Sequence, residues 1–270
     1  MTLRIVCFGD SVTRGVTNVQ GRLRIVKENY PKLLEQALHK LDTWMTPVPL
    51  SGIPEQLGPV LADLGTDVQV LNKGVFNDNS DGLVARLEKD VLKEQADVVL
   101  IEIGGNDCNF HWDKVAQSPD EVHQPLVPLP RYVENLQTLV NGVRKRDGVP
   151  IFLDLVPLDP VRYYRTVAGQ VGPAVAQWIA ICGGIEHWHG MYNLALRKLA
   201  QTLQVPHIDI RTALKRAGDL ADLISDDGIH PTVAGYRVIG ETIARQLAWW
   251  KHLGSEPQSA SSASTALPRP

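Results

Sequence analysis

The sequence carries no large excess of either charge: 27 Lys and Arg stand against 30 Asp and Glu, a formal net charge of -3. With no basic surplus or Lys/Arg run to neutralise phosphates, a nucleic-acid partner is not expected, nor is a polybasic membrane contact. No stretch approaches the roughly 20 consecutive apolar residues that span a bilayer. Cysteine is scarce. Cys7, Cys108 and Cys182 are odd in number, widely spaced and without a Cys-x-x-Cys pair, which argues against a disulfide framework or a zinc site. The first ten residues lack the apolar core and cleavage site of a signal peptide and read as a strand stopped by Gly9-Asp10. A cytoplasmic location is therefore expected.

What is present is apolar material: 44% of 270 residues are hydrophobic, enough for one large domain or two small ones. Short runs rich in Val, Ile and Leu at residues 3–8, 68–71, 98–103, 151–155 and 207–210 are bounded by Gly, Pro, Asn or Asp. Such runs suit strands buried on both faces of a parallel sheet. Between them lie helical patterns at 30–41, around Leu83, Leu87 and Val91, along Tyr132, Leu136, Leu139 and Val143, at 191–203, and along Tyr236, Ile239, Ile243, Leu247 and Trp250. Strands alternating with helices predict an α/β fold with helices on both faces of a five-stranded parallel sheet. Ligands then bind beyond the carboxyl ends of the strands. We expect a single domain over 1–253, with insertions near 43–65, 110–130 and 157–189. The Ser-, Ala- and Pro-rich residues 254–270 are expected to be a disordered tail.

Four strand-end loops hold chemically useful residues: Gly9-Asp10-Ser11, Asn72-Lys73-Gly74, Gly104-Gly105-Asn106-Asp107 and Asp227-Gly228-Ile229-His230-Pro231. Together they supply an acyl-transfer site. A serine hydroxyl is a weak nucleophile until a base takes its proton; His230 is the candidate base for Ser11. Asp227, three residues earlier, can accept the Nδ1–H of His230 and fix its tautomer. Pro231 keeps His230 out of the α region. The N–H groups of Ser11 and Gly74 and the amide of Asn106 are the natural oxyanion donors.

In these blocks the sequence resembles the SGNH hydrolases, also called the GDSL esterase/lipase family. The Ser, Gly, Asn and His of that name are matched by Ser11, Gly74, Asn106 and His230, in order, over residues 3–248. Val12 stands where the family's usual motif has Leu. The resemblance implies a three-layer, flavodoxin-like α/β/α fold and a Ser-His-Asp triad that hydrolyses esters or thioesters through an acyl-enzyme. It implies a small-molecule ester substrate and no cofactor or metal. Few aromatics (6%) and no long apolar lid favour short acyl or acetyl esters over long-chain lipids.

Taken singly, each motif also has an ordinary structural reading. Gly-Asp-Ser after a strand is often a turn whose Asp caps a helix. Asp10 and Asp107 read as loop-stabilising, and Cys108 as a small buried thiol. His187 and His189 read as pocket lining or surface rather than a metal pair, and Trp178 and Trp188 as subsite walls or core. Two other functions compete. A metal-dependent phosphoesterase would need an early Asp-x-His and a late His-x-His near strand ends. A non-catalytic flavodoxin-like binding module would be expected to carry a glycine-rich phosphate loop, which is missing.

Overall fold

The computed structural model describes residues 2–40, 57–61, 64 and 67–255. Elements follow in chain order: β1 (Leu3–Gly9), α1 (Ser11–Arg14), β2 (Val16–Val19), β3 (Arg22–Ile25), α2 (Tyr30–Leu38), α3 (Leu57–Leu61), β4 (Val68–Gly74) and α4 (Ser80–Asp90). Then come β5 (Val98–Glu102), α5 (Trp112–Gln117), α6 (Leu129–Arg144), β6 (Val149–Leu153), α7 (Pro160–Val171), α8 (Val175–Ile181) and α9 (Ile185–Leu203). The chain continues through β7 (His207–Ile208), α10 (Ile210–Ala217), α11 (Leu220–Leu223) and α12 (Val233–Ser255).

The main sheet is five-stranded with order β4-β1-β5-β6-β7, parallel throughout. The period of two in β1 divides its side chains between layers. Leu3, Ile5 and Cys7 enter a core with α2, α10 and α12, whereas Val6 and Phe8 enter one with α4, α6 and α9. Burial on both faces explains why these strands read as continuous apolar runs. The stripe Tyr132, Leu136, Leu139, Val140 and Val143 of α6 is buried, as is the Tyr236, Ile239, Ile243, Leu247 and Trp250 stripe of α12. This is the expected α/β/α architecture.

The order reverses around β1, whose neighbours are β4 and β5, and such a switch point opens a crevice at the carboxyl edge. Register levels that edge: Gly9 pairs with both Gly74 and Glu102.

The structure departs from expectation in several places. A hairpin, β2–β3, precedes α2; its turn residues Gln20 and Gly21 both have positive φ, 54° and 75°, the conformation tight hairpins require. The fourth sheet strand begins and ends two residues earlier than expected, because β6 finds its partners on β5 and β7 only as far as Leu153. Leu155 and Val156 are left beyond the ladder. Asp209 stops β7 by capping α10, accepting from Thr212 N–H at 2.8 Å. Gly183 and Gly184, both at positive φ, let α9 start at Ile185, so the 157–189 insertion ends within a helix.

Residues 110–130 and 157–189 contribute α5, α7, α8 and the start of α9. Phe110, Trp112, Val115, Leu158, Tyr163 and Trp178 form part of a third apolar cluster there, apart from the two sheet layers. Most of the 43–65 insertion lies outside the described residues, as do residues 256–270 of the expected tail; 254 and 255 belong to α12.

Candidate active site

Ser11 is the first residue of α1, directly after β1. Asp10 caps this short helix by accepting the Val12 N–H at 2.8 Å. Ser11 is 5% exposed, and its Oγ lies 2.9 Å from His230 Nε2. His230 Nδ1 lies 2.6 Å from Asp227 Oδ2. A carboxylate can only accept, so Nδ1 carries the proton and Nε2 is left to accept from the serine.

The Asp227 loop is held from several sides. Asp227 Oδ1 accepts from the Ile229 N–H, the His230 N–H and the Ser225 hydroxyl at 2.9, 3.0 and 3.1 Å. Burial alone would raise the Asp227 carboxyl, but the hydrogen bond and charge of His230 and the two backbone N–H groups outweigh it and hold the carboxyl below its ordinary value. Ser225 Oγ also accepts the Asn18 N–H at 3.1 Å, tying the hairpin to this loop. Gly228 is required because a Cβ there would meet Tyr163 N at 2.2 Å.

The expected oxyanion donors are not equally free. Ser11 N–H opens a helix and has no acceptor among the described residues. Asn106 Nδ2 donates to the Asp78 carbonyl at 2.7 Å and reaches Asp10 Oδ2 only at 3.5 Å, a distance too long to occupy its second hydrogen fully. Gly74 departs from expectation: its N–H donates to Asn72 Oδ1 at 2.9 Å. Its missing side chain instead lets α1 pack close, since a Cβ would meet Arg14 N at 2.1 Å. In the following turn Val75 N–H bonds Gly9 O and Asp78 N–H bonds Val75 O. The Phe76 and Asn77 N–H groups have no acceptor among the described residues, and Asn77 is left-handed (φ 60°).

Sequence reasoning missed Arg86. Its guanidinium donates to Gly9 O and Lys73 O, both at 2.8 Å, and to the carboxylates of Asp78 and Asp90 at 2.6 and 2.9 Å. It lies 4.4 Å above the Phe8 ring. One side chain thus clamps the ends of β1 and β4. The only sequence signal is the Arg86–Asp90 pair at i, i+4.

Three carboxyls are buried around this edge. Burial raises Asp10 to about 7 and Asp107 to about 6, and Glu102 is pushed well above the carboxylate range by burial and then by Asp10. Asp107 accepts the Ser80 N–H at 3.0 Å at the start of α4. Cys108 is buried, its thiol pushed up by desolvation, with Sγ 3.2 Å from Gly105 O.

Beside Ser11 lies a cavity of about 50 Å³, bordered by Asn106 and walled by Leu155, Val156, Leu158, Tyr163 and Ile185. Trp188 stays behind it, donating to Cys108 O at 2.7 Å, and Trp178 packs in the third cluster. Among the described residues no three His, Cys, Asp or Glu side chains gather as a metal site, and no helix is long and apolar enough to cross a membrane.

The model of the GDSL-like lipase/acylhydrolase family matches residues 7–238. The chain belongs to this family. It is accordingly a GDSL/SGNH-type ester hydrolase acting on a small-molecule substrate. The lipoprotein YqeF of Bacillus subtilis, itself uncharacterised, is 27% identical over 255 residues, 88% of this chain and 87% of that protein. Esterase TesA of Pseudomonas aeruginosa is 27% identical over 174 residues, 64% of this chain and 67% of its own. A catalytic mutant of Axe2, an acetylxylan esterase from Geobacillus stearothermophilus, superposes with a TM-score of 0.56 at 19% identity, covering 92% of this chain and 95% of that one. The GDSL fold is thus shared across nearly the whole length.

Proposed function

We propose that this ester hydrolase works through Ser11, His230 and Asp227, on short acyl esters. The observation that carries this reading is the unbroken relay from Ser11 Oγ to His230 Nε2, 2.9 Å, and from His230 Nδ1 to Asp227 Oδ2, 2.6 Å. Ser11 Oγ attacks the ester carbonyl carbon while His230 Nε2 takes its proton, and buried Asp227 stabilises the imidazolium that forms. The oxyanion is met by the Ser11 N–H and the second N–H of Asn106. The turn after β4 supplies its donor from Phe76 or Asn77, whose N–H groups are unspent, and not from Gly74. Collapse of the intermediate expels the alcohol, which takes the proton from His230. A water molecule, activated by the same imidazole, then releases the acid from the acyl-serine.

The short-acyl preference rests on the cavity of about 50 Å³, space for a few water-sized groups. We also read the insertions 110–130 and 157–189 as parts of one domain, in which Leu158, Tyr163, Ile185 and His189 wall this cavity and Phe110, Trp112 and Val115 pack behind them. A cytoplasmic location is supported by three free cysteines, two of them buried, and opposed by the lipoprotein name of YqeF. Fractionation of cells expressing the natural gene decides between them.

The test is Ser11→Ala against a short p-nitrophenyl ester. The variant loses on the order of 10⁴-fold or more in kcat, a fluorophosphonate labels Ser11 in the wild type, and chelator leaves the rate unchanged. Chelator-sensitive turnover that survives Ser11→Ala indicates a metal-dependent phosphoesterase-like site. No turnover and no labelling leaves a binding module.

A further inference from the structure

On the wall of the cavity beside Ser11, Asp10, Asn109 and Tyr163 are engaged with neighbouring groups. Two other polar groups there, Glu102 and His189, serve neither the reaction above nor a neighbour with all their polar atoms. Glu102, the last residue of β5, lines the cavity while being only 3% exposed. Its Oε2 is sealed from solvent without a partner, and no described residue hydrogen-bonds the carboxyl. Burial and then the neighbouring Asp10 push this carboxyl well above its ordinary range, toward the neutral form.

His189, on α9, lines the same cavity and is 2% exposed. A guanidinium can only donate, so Arg211 Nη1, 3.1 Å away, makes His189 Nδ1 an acceptor. Burial and then the charges of Arg211 and Lys215 lower the ring to about 3, so it is neutral and its proton sits on Nε2. Arg211 is itself held by Leu155 O at 3.1 Å and Glu186 Oε1 at 2.5 Å. The tautomer is therefore built in, and the Nε2–H finds no acceptor among the described residues.

The rest of the wall is largely apolar, with Cys108, Leu155, Val156, Leu158 and Ile185. An alkyl group filling this space displaces water and leaves both polar groups unpaired, the costly arrangement in a dry site. Among the described residues no cationic side chain lines the space, and Arg211 behind His189 is paired with Glu186, so an ionised group is buried there without a counter-charge in contact. A hydroxyl both donates and accepts. We propose that the cavity selects short acyl groups bearing an uncharged hydroxyl, which donates to the Glu102 carboxyl and accepts from His189 Nε2–H. Ser11 borders the cavity, and its small volume takes the lesser half of the ester, the acyl group. This inference rests on Ser11 as the nucleophile.

The experiment compares kcat/KM for p-nitrophenyl 3-hydroxybutyrate and butyrate, each normalised to its hydrolysis by hydroxide. Wild type favours the hydroxyacyl ester by about tenfold or more, since a site built for a hydroxyl discriminates against its absence. Glu102→Leu and His189→Phe, close in volume, each bring the ratio toward one by slowing the hydroxyacyl ester. Thermal unfolding and fluorophosphonate labelling check that the variants are folded, and the wild-type ratio stands without them. Butyrate turned over as well as 3-hydroxybutyrate, with Ser11 labelled normally, overturns hydroxyl recognition alone. No turnover of either ester and no labelling overturns the serine reading as well.

Discussion

Two sets of residues flank the cavity, the strand-end loops and the cap of α7 and the start of α9 with α5 and α8 packed behind them, and they are held differently. Gly9, Gly74 and Glu102 stand level because parallel register indexes β1 against β4 and β5, which puts Ser11 two residues beyond that edge. Hydrogen bonds involving Arg86, Asp10 and Ser225 finish the placement. No strand indexes the cap. It coheres through aromatic contacts, with the Phe110 centroid 5.3 Å from Trp112 and 5.8 Å from Trp178, both edge-on, and 5.4 Å from Trp188, tilted. It is anchored on the Asp227 loop, where Asp159 N–H bonds Gly228 O at 3.0 Å and Arg162 Nη1 bonds Ala221 O and Ile224 O, both at 2.7 Å. Directional bonds fix reacting atoms to fractions of an ångström, whereas apolar packing tolerates exchange of shape at similar volume. Such an arrangement can change substrate at the cap without disturbing chemistry at the strand ends.

Variants on either side break or sharpen this contrast. After loss of the nucleophile itself, the largest effect is expected from Asn106→Ala, which removes a strand-end donor and lowers kcat by about 10²–10³ in steady-state ester hydrolysis. A loss of only a few-fold takes Asn106 out of the oxyanion site. Trp178→Ala opens a void in the cap and costs about 3 kcal/mol, read by urea unfolding, yet Trp178 does not line the cavity. Its kcat for an acetyl ester is expected to stay within a few-fold; a drop as deep as that of Asn106→Ala dissolves the distinction.

The smallest effect concerns the buried acids of the strand ends. Asp10 titrates at about 7 when folded and at about 3.9 when unfolded. Between these values the folded state holds the extra proton, so this group's contribution favours folding in acid and is lost as pH rises through 7. Asp107, at about 6, acts in the same direction, and His189, at about 3, in the opposite one. Asp10→Asn keeps an acceptor for Val12 N–H and is expected to make the melting temperature less dependent on pH between 4 and 7. An unchanged slope removes Asp10 from this role.

The strands of the sheet were legible because burial on both faces writes itself as short apolar runs, and α6 and α12 because a stripe at helical period needs no partner to be seen. The β2–β3 hairpin was not, since its turn uses Gln20-Gly21 in place of the Asn-Gly or Asp-Gly pairs that signal such turns. Nor was the end of β6, where apolar residues continue past the last ladder partner to become cavity wall. At the site, residue types were legible but their bonding was not. Gly74 offers an N–H on paper, and only the fold shows Asn72 consuming it. Arg86 and Ser225 carry no motif, because their roles are contacts with chain 77 and 207 residues away.

By itself the sequence determined what nearest-neighbour chain geometry controls. Asp227 and His230 share one loop three residues apart, Asp10 is placed to cap α1, and Pro31 to begin α2. Tertiary structure alone decided the rest: that Ser11 meets an imidazole 219 residues away, which N–H groups remain unspent, and that Arg211 sets the tautomer of His189. Local spacing follows from bond lengths and periodicity. Burial and hydrogen-bond partners follow from long-range register, which sequence spacing does not encode.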